Sequence, residues 1–356
     1  MAGSLPGSPE HGSRIAVVLE GARLLFPGYF ALVMATGVIS IACELLGLRP
    51  VALGLVAFNW IAYPVLWMLT LIRVVRFPRL LMLDVFNHQR APGFFTLVAG
   101  TCVLGTQNMI VLEARGLATT LWWLGLGLWF IVMYTFFTAV TVRARKPTLA
   151  QGINGAWLIA AVATQSIVVL RAAIDTGAPP HEAIQFLTIT MFMIGSMLYL
   201  AIIPLIFYRL TFVALSHAEF SPPYWINMGA VAISALAGSL LLLQGDVWPL
   251  VGPLIPFIKG FTFFFWATAT WWIPFLFALM TWRYLWKRDR FRYEPAVWGM
   301  IFPLGMYTTS SLQFDRAMGY GFLDPLPETL VFVALAAWAL AVIGLVRRLV
   351  GMVVAA

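Results

Sequence analysis

Residues 297–308 read VWGMIFPLGMYT and place Phe302 directly before Pro303, with Gly299 and Gly305 on either side, inside an apolar run. Pro303 offers no N–H and crowds the preceding turn, so a kink is predicted there. A ring just before such a kink could be pushed into a lumen, where a hydrophobic constriction gates by excluding water. The competing reading is packing, since Phe302 is one of 27 phenylalanines.

Side chains suited to bond-making chemistry are scarce. The four histidines (His11, His88, His181 and His217) all fall outside the apolar blocks. Cys43 and Cys102 lie inside such blocks, far apart, and imply neither a disulfide nor a metal. Within the apolar blocks no carboxylates pair at helical spacing, and there is no HExxH pattern. These features predict no catalytic residues, no metal and no cofactor. The lack of a mid-span Asp, Glu or His relay also favours passive conduction over tight proton coupling. An anion would then be held by backbone N–H groups, hydroxyls, amides and helix N-termini. Arg171 and Lys259 sit near span ends on one side. They read either as interfacial residues or as an electropositive outer mouth.

These residues must be positioned by membrane-spanning helices. The chain of 356 residues is 62% hydrophobic and only 10% charged, with a mean hydropathy of +0.91. A soluble domain carries about 25% charge. Apolar blocks long enough to cross about 30 Å of hydrocarbon are predicted at about 27–47, 51–72, 93–113, 118–142, 153–173, 184–208, 223–244, 256–282, 295–314 and 329–350. Prolines 27, 50, 92, 223, 256, 295 and 327 stand at or near the helix starts, where a missing N–H costs little. Segments 73–92 and 283–294 read as loops, and 15–25 as a short amphipathic helix on the membrane surface.

The net charge of +8 is distributed by side. Of the 22 Lys and Arg, 17 fall on the N-terminus, the C-terminus and the connections after even-numbered spans, while acidic residues split nearly evenly. By the positive-inside rule both ends are cytoplasmic, and nucleic acid is not the partner of this charge. The odd spans hold seven Asn or Gln (107, 108, 154, 165, 227, 244 and 313) against two in the even spans (59 and 185). An inner set of odd helices is therefore predicted, facing the protein interior or a wet cavity, although for any single amide an ordinary interhelical hydrogen bond is the competing role.

The segments FPGYFALVMATG (26–37), GFFTLVAGTCVLGTQ (93–107), NGAWLIAAVATQSIVVL (154–170), PPYWINMG (222–229) and WGMIFPLGMYT (298–308) resemble the tellurite-resistance/C4-dicarboxylate transporter family. That family also includes fungal malate permeases, fungal sulfite exporters and plant slow anion channels. The resemblance implies an all-α fold of ten helices, arranged as five hairpins around a quasi-fivefold central pore, in a homotrimer with one pore per subunit. It also implies that Phe302 plugs the pore. Two features depart from the pattern. The third and fifth spans contain no internal proline, and the long cytoplasmic tails of the plant channels are missing.

The reading that follows is an inner-membrane channel or passive transporter for chloride, nitrate, sulfite or C4-dicarboxylates. It comprises a cytoplasmic segment at 1–25, a transmembrane domain at 26–350 and a tail at 351–356. Phe302 is the gate, with Pro303 and Gly305 at the kink. Thr36, Ser40, Gly105, Thr106, Gln165, Asn227, Ser234 and Thr309 are the pore-lining candidates, and Arg171 and Lys259 the outer mouth. Small anions and membrane lipid are the partners. Proton-coupled transport is the alternative, and an intramembrane enzyme a remote one.

Overall fold

The computed structural model describes residues 10–354 apart from 176, 178, 218, 291 and 292. The first nine residues and the last two of the predicted tail lie outside the described residues. Among the described residues thirteen α-helices follow one another: α1 Glu10–Arg23, α2 Ala31–Leu45, α3 Arg49–Arg76, α4 Pro78–Val85, α5 Phe95–Leu112, α6 Arg115–Val142, α7 Leu149–Gly152, α8 Ile159–Ile174, α9 Glu182–Phe212, α10 Ile226–Leu243, α11 Ile255–Thr281, α12 Trp298–Met318 and α13 Pro325–Val354. No strand occurs among the described residues. The stretch 73–92, read as a loop, contains α4, which Pro78 starts.

Among the described residues nine of these helices, with their leading turns, are long and apolar enough to cross a membrane. The remaining long helix, α12, carries the polar run Thr308–Ser311 with Asp315 and Arg316, which lowers its hydropathy.

The helices form two sets with opposite burial. Five make a closed circuit, in which α2 packs on α5, α5 on α8, α8 on α10, α10 on α12, and α12 back on α2. The other five each lie outside one junction. Helix α3 touches α2 and α5, α6 touches α5 and α8, α9 touches α8 and α10, α11 touches α10 and α12, and α13 touches α12 and α2. In the apolar core windows of α2, α5, α8 and α10, 83–89% of residues are buried, against 17–44% in the outer helices. The outer helices expose rows of large apolar residues such as Ile61, Ile131, Phe186 and Leu340, as a lipid-facing surface requires.

Each circuit helix begins in the same way, with a 3₁₀ turn: PGYF, APGF, GAWL, PPYW and PAV. Four of the five carry proline at the first or second position, where its fixed φ suits a helix start. The GAWL turn is instead capped by Asn154, whose side chain accepts from the Ala156 N–H at 2.9 Å. Glycine lets these turns touch backbone to backbone. A Cβ on Gly93 would fall 2.7 Å from the Gly28 nitrogen, and one on Gly155 would fall 2.2 Å from the Pro223 carbonyl oxygen.

Candidate functional site

Two cavities lie inside the circuit, and all five circuit helices contribute to both. The lower one, of about 60 Å³, is walled by the helix starts, including Gly28, Thr96, Ala156, Pro223, Ala296 and Phe302. The upper one, of about 360 Å³, is walled by the later turns, including Val38, Thr106, Ser166, Ile233, Met306 and Thr309. The five helices therefore run in parallel from one cavity to the other. Their positive dipole ends surround the lower cavity and their negative ends the upper one. Among the described residues no Asp, Glu, Lys, Arg or His belongs to either wall.

Helix α12, like the other four circuit helices, lines both cavities. Phe302 is 1% exposed and belongs to the lower cavity, while Met306 is 2% exposed and belongs to the upper one. The residues around Pro303 are wedged. A Cβ on Gly229 of α10 would lie 2.8 Å from the Pro303 ring, and one on Gly305 would lie 2.7 Å from Ile39 of α2. At interior packing density these contacts leave α12 no lateral room on either flank.

The eight candidate lining residues divide clearly. Thr106 and Thr309 are on the wall of the upper cavity. The others belong to neither wall. Thr36 accepts from the Trp338 indole at 2.8 Å, and Ser40 donates to the Ala52 carbonyl at 2.8 Å. The Gln165 amide donates to the Phe192 carbonyl at 3.1 Å and approaches Ser196. Ser234 donates to the Ala230 carbonyl of its own helix, and Asn227 is fully buried. Gly105 meets Leu170 and Leu121.

Several circuit-helix polar groups thus face the outer helices. Asn59 donates to Gln107 at 2.9 Å, Trp60 to Asn108 at 3.0 Å, Trp129 to Thr164 at 2.8 Å and Trp266 to Ser311 at 3.0 Å. Each of these bonds joins a circuit helix to an outer one and so fixes register between the two sets, while Asn59 Oδ1 and Gln107 Nε2 are buried without a protein partner. Met306, Ser166, Gln244 and Gln313 belong to the upper wall and were absent from the sequence-based candidates. Met306 carried a usable signal, because it lies four residues after Phe302 and so on the same helix face.

The proposed outer mouth is not assembled. Arg171 pairs with Asp175 four residues on, and its guanidinium carbon lies 5.2 Å from the centre of the Trp122 ring, towards α6. Lys259 is exposed on α11, and neither residue is part of the upper wall. The pairing partner neutralises Arg171 locally, so the pair adds little positive field.

At the lower end a charged cluster meets the cavity rim. Arg73 donates to Asp84 at 2.5 Å and to the carbonyl of Arg23 at 2.9 Å, with further bonds to the carbonyls of Ala22 and Leu25. It therefore caps the end of α1. Asp84 also accepts from Arg90, whose guanidinium lies 5.5 Å from the centre of the Phe26 ring. Phe26 and Gln89 line the lower cavity. Next to Gln89, the imidazole of His88 titrates below its ordinary range, because it is partly desolvated and close to Arg143 and Lys146.

Comparison with known proteins gives a consistent picture. A family model described as SLAC1, voltage-dependent anion channel, matches residues 25–346. An uncharacterized membrane protein of Mycobacterium tuberculosis is 34% identical over 152 residues, covering 43% of this chain and 77% of its own. An uncharacterized transporter of Methanocaldococcus jannaschii is 26% identical over 330 residues, covering 89% and 91% of the two chains. A sulfite efflux pump of Trichophyton rubrum is 24% identical over 351 residues, covering 88% of each.

Proposed function

This chain belongs to the SLAC1 voltage-dependent anion channel family, and from that membership we propose that it conducts or passively carries small anions through the centre of the helix circuit, with Phe302 as the plug. The observation that supports this reading is that Phe302, nearly fully buried, lines the lower of two cavities walled by the same five helices. An aromatic ring closing an uncharged passage blocks ions by denying them water, and its removal opens the path.

On this reading all ten long helices cross the membrane as five hairpins around a quasi-fivefold pore. The polar helix α12 then belongs at the centre, where lipid does not reach it. Residues 1–25 and 351–356 flank the transmembrane domain. Both termini lie in the cytoplasm of the cell membrane, which makes the lower cavity the cytoplasmic one. The five helix starts around it supply positive partial charge without any cationic side chain, as suits an anion. Pro303 and Gly305 shape α12 at the plug, and Thr106 and Thr309 offer polar surface beyond it. A homotrimer, each subunit with its own pore, is part of the proposal.

The favoured cargo is a small inorganic anion such as chloride, nitrate or sulfite, with C4-dicarboxylates next. The name of the Trichophyton relative, a sulfite efflux pump, supports including sulfite. Passive movement is favoured over proton coupling because, among the described residues, neither cavity wall holds an acid, a base or a histidine. The test is flux of a panel of these anions in proteoliposomes, with and without a pH gradient. Flux that needs the gradient, with a fixed proton stoichiometry, favours coupled transport. No flux of any anion from well-folded parent and Phe302→Ala protein removes the reading.

A further inference from the structure

The upper cavity is chemically unlike a resting place for an anion. Among the described residues its wall holds no charged and no aromatic side chain, although 15% of the chain is aromatic. The surface is apolar, apart from three hydroxyls and two amides. Those hydroxyls have already committed their protons. Thr106 donates to the Cys102 carbonyl at 3.0 Å, Ser166 to the Ala163 carbonyl at 2.7 Å, and Thr309 to the Gly305 carbonyl at 3.1 Å. The Gln244 amide donates to the Ala172 carbonyl at 3.3 Å. Gln313, half-buried on the same wall, adds one neutral amide. What the hydroxyls offer the cavity is lone pairs. The ends of the parallel helices add negative partial charge at the same place.

An acceptor-rich, aliphatic chamber of about 360 Å³ is within the size range of small-molecule sites. It suits a neutral molecule with one O–H donor and a flexible hydrocarbon body. A carboxylate would bring a charge that meets no cation there. We infer that the upper cavity is a binding site for uncharged aliphatic hydroxyl compounds, and that an occupant obstructs the permeation path. The obstruction, but not the binding, rests on the function proposed above.

The experiment measures binding of n-butanol, n-hexanol and hexanoate to the purified full chain in lipid nanodiscs by saturation-transfer NMR at pH 7.5, where hexanoate is ionised. Two cavity-filling variants, Leu236→Trp and Ala173→Leu, separate site binding from lipid partitioning. Saturable n-hexanol binding is expected in the parent and not in whichever filled variant stays monodisperse. Each added methylene tightens binding about fourfold while the chain still fits. Hexanoate is expected to bind at least about tenfold more weakly, the effect of one unpaired buried charge being larger than that. Equal binding of hexanoate and n-hexanol overturns the inference, and so does equal n-hexanol binding by parent and filled variants. Anion flux from Phe302→Ala proteoliposomes is recorded in parallel with external n-hexanol. Flux without site binding overturns this inference alone, whereas site binding without flux overturns the proposed function alone.

Discussion

Phe302 and Met306 lie one turn apart on the same face of α12, yet they line different cavities, the phenylalanine the lower and the methionine the upper. Four residues of helix rise about 6 Å. Along α12 the linings of the two cavities are therefore about one helical turn apart. Both residues are nearly inaccessible.

Replacing Phe302 by Ala should raise anion flux in proteoliposomes by at least about tenfold, equivalent to taking about 1.4 kcal/mol off the barrier. Phe302→Trp should leave flux at or below the parent level. A well-expressed Phe302→Ala protein that conducts no better than the parent would remove Phe302 from the gate.

Gly155→Ala should fail to give a monodisperse protein. The added carbon would sit 2.2 Å from the Pro223 carbonyl oxygen and 2.7 Å from the Tyr224 Cα. Backbone on both sides leaves nothing flexible to yield, so the cost exceeds the roughly 1–3 kcal/mol of ordinary overpacking. Size-exclusion chromatography in detergent reads the outcome. A Gly155→Ala protein that elutes and melts like the parent would contradict the close crossing.

Asn59→Leu should lower thermal stability by about 1–3 kcal/mol, because it strips a donor from the Val33 carbonyl and from Gln107. Combining it with Gln107→Leu should cost less than the sum of the two single changes, since they share one bond. Strict additivity in melting experiments would show that the pair is not coupled.

Arg73→Met should cost about 3–5 kcal/mol, the range for removing one partner of a buried ion pair. Its side chain is 6% exposed and that of Asp84 9%. The carbonyls at the end of α1 would lose their cap at the same time. Limited proteolysis should therefore cut within residues 10–23 faster than in the parent. Unchanged cleavage would mean that α1 is held by other contacts.

The imidazole of His88 titrates below its ordinary value, so the folded state binds its proton less readily than the unfolded chain does. Stability from this group is complete above about pH 6.5 and is lost as pH falls through the depressed folded value. Melting temperature should drop on acidification below about pH 6.5, and His88→Gln should flatten that drop. A variant with the parent's pH profile would assign the acid sensitivity elsewhere.

Helix positions were legible in the sequence for physical reasons. Apolar length fixes a span within narrow limits, and prolines such as Pro27 and Pro223 favour a helix start, where an N–H is dispensable. The direction of each polar side chain was not legible in the same way. The circuit helices are buried on all sides, so no apolar stripe separates a cavity face from a packing face. Gln165 and Thr106 look equivalent in sequence, yet the first reaches into α9 and the second stands on the cavity wall. The Arg171–Asp175 pair was readable, because an i,i+4 spacing places opposite charges side by side. That spacing already argued against a free cationic mouth.

The last circuit helix closes on the first. Thr309 reaches the Val38 carbonyl across 271 positions, and Trp338 reaches Thr36 across 302. Biogenesis must therefore leave α2 without two of its neighbours until the final hairpin has been inserted. Contacts so distant along the chain form slowly. During synthesis the partly built ring is a crescent, with an open seam along α2 and α10. A nascent chain held at this stage exposes that seam.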